Sequence, residues 1–359
     1  MNNCLNSCLY DSIEQGIVTK EKHTLDVCIP IVKPYHNIAI PMSIVGSREN
    51  SKGWFYSNFI NVYSFYDNND LVINYDIQYF EDEVYYLNTE KMTISTFDLF
   101  QNSPIEQIKK IIDLEKYVAL FVDEFYIEET IYFGVKHYNH EIMIYGYDEF
   151  EQVLCCIYYG DDLHYKLRKV KYDDFIKSFY SSEMNRDLPF FIFSFHKDNE
   201  WMRPYYSIDS QYIKHMLKRY INGTNFLYDR RHINPLNSNI INKYGIHIYN
   251  DLKKYLIDMS KQKKSIDLPQ IYFIYENKII MQKRFQYLFE EHIFLTQEYA
   301  KQYDRVVQLG RTMLNSVMKY NAYISLDKNV EKVKNSILSD IEKIEMIENE
   351  ILEKVLENM

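Results

Sequence analysis

Residues 116–162 contain three short apolar runs, and this stretch restricts the fold more than any other part of the chain. The runs, Tyr117–Val122, Glu141–Tyr147 and Val153–Tyr159, are dense in Val, Ile, Tyr and Phe and are bounded by polar residues or glycine, which is typical of β-strands. The five residues 148–152 separate the last two runs, and a connection this short joins two antiparallel strands in a hairpin. The stretch therefore predicts an antiparallel sheet.

A histidine and two acids mark one end of the predicted hairpin. His140 directly precedes the second run, at the start of its strand, and is expected to lie across from residues 159–161, so that Asp161 or Asp162 comes within hydrogen-bonding distance of its ring. A histidine beside a carboxylate is half of a nucleophile–His–acid constellation, in which the acid fixes the imidazole tautomer and stabilises its charged form. The alternative is a chance pairing of a strand-end histidine with a turn acid, which many β-rich proteins contain.

The composition excludes several classes of protein. With 359 residues, 47% of them hydrophobic, the chain is long enough for one large domain or two ordinary ones. A net charge of -10 argues against a nucleic-acid surface and against attraction to anionic membranes. No apolar run reaches the roughly 20 residues that a membrane span requires. We therefore expect neither a nucleic acid nor a membrane as a partner.

Cysteine usage and the missing motifs restrict location and chemistry. The five cysteines are an odd number without framework spacing, and no charged-then-apolar leader precedes them, which favours a reducing cytoplasm over secretion. The sequence has no CxxC or HExxH motif and no glycine-rich phosphate loop, so we expect no metal and no cofactor. Adjacent Cys155 and Cys156 point to opposite faces of a strand and are interpreted as packing residues.

The hydrophobic periodicity changes near residue 198. Before it, residues 104–115 and 172–179 show helical patterns, and residues 188–195 form one more buried strand. After it, helical periodicity dominates, over 208–220, 250–259, 269–289, 298–318 and 330–356. The sequence thus predicts an α+β fold, with an antiparallel-sheet domain over residues 1–198 and a mostly helical domain over residues 199–359. The last helix carries an apolar seam that suits the preceding helix or, through a homodimer, a second copy of the chain.

Two segments are candidates for a nucleophile helix. Residues 4–15 put Cys4 and Cys8 on one helical stripe, and a cysteine at a helix N-terminus has its thiolate favoured by the helix dipole. The alternative for a chain end is fraying. A second helix over about 37–45 contains Pro41 and supplies no cysteine.

Four residues near the hairpin have simpler interpretations. Asp123 and Glu124 end a strand and are interpreted as a strand-terminal turn. Asp148 is expected to accept hydrogen bonds from backbone donors of the hairpin turn, and Gly146 to mark a close approach between strands. His137 is interpreted either as lining the entry to a cleft or as a surface loop residue.

The spacing H-x-x-H-x-x-x-x-x-G-Y-D from His137 to Asp148, preceded by V-D-E-F-Y-I at 122–127, resembles a known family. It is similar to the papain-like cysteine-protease homologues of bacterial non-ribosomal peptide and related gene clusters, a group typified by the N-terminal domain of butirosin biosynthesis protein H. Helical segments at 244–256, 276–288 and 309–320 continue the likeness. The resemblance implies a papain-like sheet domain extended by a helical domain.

The resemblance also implies an activity, namely acyl transfer or amide-bond formation on a carrier-bound thioester in bacterial specialised-metabolite biosynthesis, with peptide hydrolysis as a related outcome. The implied partners are an acyl or peptidyl carrier protein with a phosphopantetheine-bound substrate and a small-molecule amine acceptor. The implied histidine and acid are His140 and Asp161, or Asp162 if the register differs by one. The cysteine does not transfer cleanly: Cys8 is preferred over Cys4 and Cys28. A papain-like pseudoenzyme that acts as a binding or scaffold protein is therefore the alternative.

Overall fold

The computed structural model describes residues 20–33, 35–68, 70–75, 87–100, 102–162, 164–195, 207–224, 241–294 and 296–359. In chain order the strands are β1 (Lys22–Thr24), β2 (Val62–Asp67), β3 (Asp70–Tyr75), β4 (Leu87–Thr93), β5 (Tyr117–Asp123), β6 (Asn139–Asp148), β7 (Val153–Tyr159), β8 (Tyr165–Lys171), β9 (Pro189–Phe195) and β10 (Ile241–Tyr244). The α-helices are α1 (His36–Val45), α2 (Lys52–Ser57), α3 (Ile94–Asp98), α4 (Pro104–Asp113), α5 (Tyr172–Phe179), α6 (Ser210–Asn222), α7 (Ile248–Gln262), α8 (Leu268–Glu290), α9 (Glu298–Ser325) and α10 (Glu331–Asn358). The predicted α+β class is confirmed.

The chain divides into two compact units that are discontinuous in sequence. The first contains Met1–Ile29, Ser43–Ser47 and Tyr85–Lys197, and the second contains Pro30–Met42, Arg48–Val84 and Asp198–Met359. Residues 30–42 and 48–84 belong to the second unit, in which β2 and β3 pair with β10 instead of joining the larger sheet.

The first unit is built on a sheet of seven described strands, ordered β4-β9-β5-β6-β7-β8, with β1 added beside β6. Every pairing in it is antiparallel. Helix α4 begins at a proline in its first turn and buries Ile105, Ile108 and Ile112, as its apolar stripe predicts. Aromatic packing covers another part of the sheet, where the rings of Phe97 and Phe190 stack with centroids 4.0 Å apart.

Strand β6 occupies the centre of this sheet and has neighbours on both sides. Its first half pairs with β5, its second half with β1, and its other edge with β7, where the register shifts between Ile144 and Gly146. A Cβ at Gly146 would lie 2.5 Å from the backbone oxygen of His23, so only glycine allows β1 to approach. Asp148 accepts hydrogen bonds from the backbone N–H groups of Phe150 and Glu151. Both interpretations of these two residues are therefore confirmed.

The second unit combines a small sheet with long helices. Strands β10, β2 and β3 pair in that order and are antiparallel. Helices α8, α9 and α10 pack in sequence, and α10 also contacts α6 and α7. The seam of α10 is buried through Ile337, Ile341, Ile344 and Val355. Packing of the last helix onto the preceding one is thus confirmed.

A charged pair lies in the core of the second unit. The Nζ atom of Lys278 is 2.7 Å from a carboxylate oxygen of Glu348, and both side chains are buried. The hydroxyl groups of Tyr249, Tyr220 and Tyr303 donate to the same carboxylate, the first at 2.7 Å. Both oxygens of the Glu348 carboxylate accept hydrogen bonds, and these bonds offset the cost of removing the two charges from water.

Candidate functional site

Two acids and two histidines meet at one end of the sheet of the first unit. Strand β5 ends at Asp123, and Glu124 follows in a single 3₁₀ turn. Strand β6 starts at Asn139, and its antiparallel register pairs Asp123 with Asn139 and Val122 with His140. The end of β5 therefore lies beside the start of β6, which brings the acids to the histidines.

His140 is hydrogen-bonded to Glu124. Its Nδ1 atom lies 2.6 Å from Oε1 of the acid, whose side chain is buried, whereas the imidazole is about one-third exposed. The backbone of Glu124 is fixed as well, since its N–H donates to the carbonyl of Tyr138 and its own carbonyl accepts from the hydroxyl of Thr130. An ionised Glu124 requires the proton on Nδ1, which makes Nε2 the basic atom of the ring.

His137 makes a second pair, with Asp123. Its Nδ1 atom lies 2.7 Å from Oδ2 of Asp123, which also accepts a hydrogen bond of 2.6 Å from the Ser181 hydroxyl. The backbone N–H groups of Phe125 and Tyr138 donate to the other oxygen. Burial alone would raise the pKa of this carboxyl, but the hydrogen bonds from Ser181, His137 and the backbone outweigh it, and the pKa is lowered. Asp123 is therefore an anion that orients the His137 ring.

The acid that the structure shows bonded to His140 is Glu124, which is neither of the two expected acids. Asp162 forms ion pairs with Lys166 and Arg168, and the hydrogen bond from Lys166 is the main cause that lowers its pKa to about 2. Asp161 follows β7, and its backbone N–H donates to the carbonyl of Glu129. The two expected acids follow the hairpin strand β7, whereas Glu124 follows β5, on the other side of β6.

The thiols within the described residues are not activated. Burial raises the pKa of Cys28 to about 11 and also raises the pKa values of Cys155 and Cys156, which lie inside the sheet as predicted. The predicted nucleophile Cys8, its alternative Cys4 and the helix expected over residues 4–15 lie outside the described residues. Helix α1 is formed as expected, with Pro41 inside it, and contains no cysteine.

Glu124 and Asp123 are the site residues that sequence reasoning missed. Both were interpreted as a strand-terminal turn, although they carry the two carboxylates that bind the histidines. The sequence does contain a signal for them, namely two adjacent acids directly after an apolar strand. Acids in that position are buried at the strand end and need hydrogen-bonding partners such as histidine. Ser181 had no sequence signal, since it reaches Asp123 from the turn after α5.

The described residues assemble no cluster of three or more His, Cys, Asp or Glu side chains that could hold a metal ion. Among the helices that the structure describes, none is both long enough and apolar enough to cross a membrane. No protein-family model matches the sequence, and no curated protein is significantly similar to it. The geometry of the two His–carboxylate pairs is thus the main observation that bears on function.

Proposed function

We propose that the chain is a papain-like enzyme that transfers an acyl group from a carrier-bound thioester to an amine. The observation that supports this proposal is the His140–Glu124 pair, with a buried acid on Nδ1 and a partly exposed ring. This arrangement is the one a general base needs, because the acid fixes the tautomer and stabilises the charge that the ring gains. Glu124 takes the role that the resemblance assigned to Asp161.

The proposed mechanism has two steps. His140 Nε2 removes the proton of a cysteine thiol, and the thiolate attacks the thioester carbonyl, so that the acyl group moves to the enzyme and the carrier thiol leaves with a proton. The amine then attacks the acyl-enzyme, an amide bond forms, and the cysteine thiol is regenerated. Cys8 is the proposed nucleophile, because burial disfavours the thiolates of Cys28, Cys155 and Cys156.

The proposed partners follow from this chemistry. The acyl donor is an acyl or peptidyl carrier protein with a phosphopantetheine arm, and the acceptor is a small-molecule amine, in a bacterial specialised-metabolite pathway. The reaction as written needs no cofactor, since the thioester supplies the activated acyl group. A homodimer through the C-terminal helices stays a prediction.

A second candidate is a papain-like pseudoenzyme that binds or positions partners in the same kind of pathway. One observation favours it: the cysteines that the structure describes have raised pKa values, and α1 carries no thiol. In that case the His–carboxylate pairs would be structural, and the protein would bind substrates without reacting with them.

Capture of the acyl-enzyme distinguishes the two candidates. The protein is mixed with an acyl-pantetheine thioester without amine, quenched in acid and weighed by intact-protein mass spectrometry. The acyl-transfer proposal expects one acyl adduct in the wild type and in the matched control Cys28→Ser, and none in Cys8→Ser. Absence of an adduct in the wild type would contradict it and favour the pseudoenzyme.

A further inference from the structure

Residues 131–138, which we call the lip, expose an unusual amount of apolar surface. The exposed fractions are 51% for Ile131, 46% for Phe133, 77% for Val135 and 41% for Tyr138. Single exposed apolar side chains are ordinary, but four within eight residues form a patch of the kind that marks a binding surface.

Backbone hydrogen bonds fix the conformation of the lip. The N–H of Gly134 donates to the carbonyl of Phe125 at 3.0 Å, and the N–H groups of Val135 and Lys136 both donate to the carbonyl of Tyr132. Gly134 has φ +65°, a left-handed conformation that suits glycine, and it turns the chain at this point. These bonds hold the apolar side chains outward, so their exposure is a feature of the fold.

The lip is continuous with the two histidine pairs. The ring of Tyr138, a lip residue, lies 5.6 Å from the ring of His140. Phe125, whose carbonyl holds Gly134, stacks on His137 with ring centroids 4.4 Å apart. A ligand whose reacting atom is at His140 therefore has the lip beside it.

The charged residues in and near the lip indicate which of the two substrates, the acyl group or the amine, the lip binds. Residues 130–138 contain no acid, and Lys136 lies over the rings of Tyr132 and Tyr138 at 5.7 and 5.9 Å. The two acids that precede the lip in sequence, Glu128 and Glu129, form ion pairs with Lys171 and Arg168. The lip itself has no carboxylate for a cationic amine to pair with, and the carboxylate bonded to it, that of Asp123, is buried and held by His137 and Ser181. The exposed apolar side chains of the lip therefore suit an apolar acyl group.

We infer that the lip binds the acyl group of the thioester substrate and that the substrate carries an apolar acyl chain. The inference rests on the proposed acyl-transfer function and adds its substrate class. Each methylene that moves from water onto the lip should strengthen binding about two- to fourfold.

The test uses S-alkyl pantetheine thioethers, which cannot react, with ethyl, hexyl and decyl chains, and measures their Kd values by calorimetry. The wild type is expected to bind the decyl probe most tightly. The double variant Phe133→Ser/Val135→Ser is expected to lose at least about tenfold in affinity for the decyl probe and to bind the ethyl probe unchanged. The matched control is Phe150→Ser in the turn after β6, where the ring is 96% exposed, and its affinities should equal those of the wild type.

Each outcome decides the question. Chain-length-independent binding, no binding, or an equal loss in the Phe150 variant would overturn the inference. Sedimentation of the same proteins gives one more outcome, because a wild-type dimer that the double variant lacks would assign the lip to a second copy of the chain. Binding without any acyl-enzyme would refute the proposed reaction and leave the apolar site intact, so the two failures are distinguishable.

Discussion

His140 Nδ1 lies 2.6 Å from Oε1 of Glu124, an acid that follows β5 and not the hairpin partner β7. The pair joins two adjacent strands at the point where β5 ends and β6 begins. Because the acid is buried and the ring is about one-third exposed, the imidazole is oriented from the protein side and still reaches the surface. The proposed chemistry depends on this relationship.

Replacing Glu124 by glutamine tests whether the pair is catalytic. The amide keeps the shape of the side chain but removes the negative charge that orients and stabilises the imidazolium, so the rate of acyl transfer should fall about 10²–10⁴-fold. The measurement is amide formation from an acyl-pantetheine and a primary amine. Glu128→Gln, at an exposed acid paired with Lys171, is the control and should keep the wild-type rate. Full activity in Glu124→Gln would contradict the assignment.

Replacing Asp123 by asparagine tests the second pair through its pH dependence. The pKa of Asp123 is lower in the folded protein, so its carboxylate stabilises the fold above the unfolded-state pKa of about 3.9, and this contribution is lost as the pH falls through the folded pKa. Asp123→Asn should therefore be less stable by about 1–3 kcal/mol at pH 7, and the difference should shrink toward pH 3. Urea unfolding at both pH values measures it.

The exposed Asp187 supplies the control for that experiment, since Asp187→Asn should unfold like the wild type at both pH values. A variant at Asp123 as stable as the wild type at pH 7 would mean that the hydrogen bonds from Ser181 and His137 contribute nothing to the fold.

Local patterns were enough to predict most elements of the fold. The strand and helix patterns of residues 104–195 and of the C-terminal half correspond to observed elements, because apolar periodicity and proline or glycine positions act within one segment. The sequence could not predict that residues 48–75 belong to the second unit, because the pairing of β2 with β10 joins strands that are distant in sequence. The partner of His140 was missed for a similar reason: the pairing of β5 with β6 spans a loop of 15 residues, 124–138.

Cys28 should be a slow nucleophile until the solution is strongly alkaline. Burial raises its pKa to about 11, and only the thiolate reacts with iodoacetamide. We expect slow labelling of the folded protein at pH 8 and faster labelling as the pH approaches 11, measured by peptide mass mapping. In urea the same cysteine should react at the rate of an ordinary thiol with a pKa near 8.5. Rapid labelling of folded protein at pH 7 would contradict the burial.

Replacing Lys278 by methionine should destabilise the second unit by about 3–5 kcal/mol, because it leaves the buried Glu348 carboxylate without its cation. The double variant Lys278→Met/Glu348→Gln should recover part of the loss, since no charge stays unpaired and the amide oxygen still accepts from the tyrosines. Thermal unfolding measures both. Lys354→Met, at an exposed ion pair with Glu350, is the control and should unfold like the wild type.

An equal stability of Lys278→Met and the wild type would contradict a stabilising role for the Lys278–Glu348 pair. An unrecovered loss in the double variant would instead assign the effect to packing of the lysine side chain.

The central claim, that His140 activates a thiol, is tested most directly by iodoacetamide labelling at pH 6 followed by peptide mass mapping. An ordinary thiol is almost wholly protonated at this pH, whereas a thiol activated by a histidine reacts. The account predicts selective labelling of Cys8 in the wild type and its loss in His140→Asn, whose amide nitrogen can keep the bond to Glu124 but supplies no base. The matched control His137→Asn should label like the wild type. Uniformly slow labelling of every cysteine, unchanged by either variant, would contradict the claim and leave the pseudoenzyme as the function.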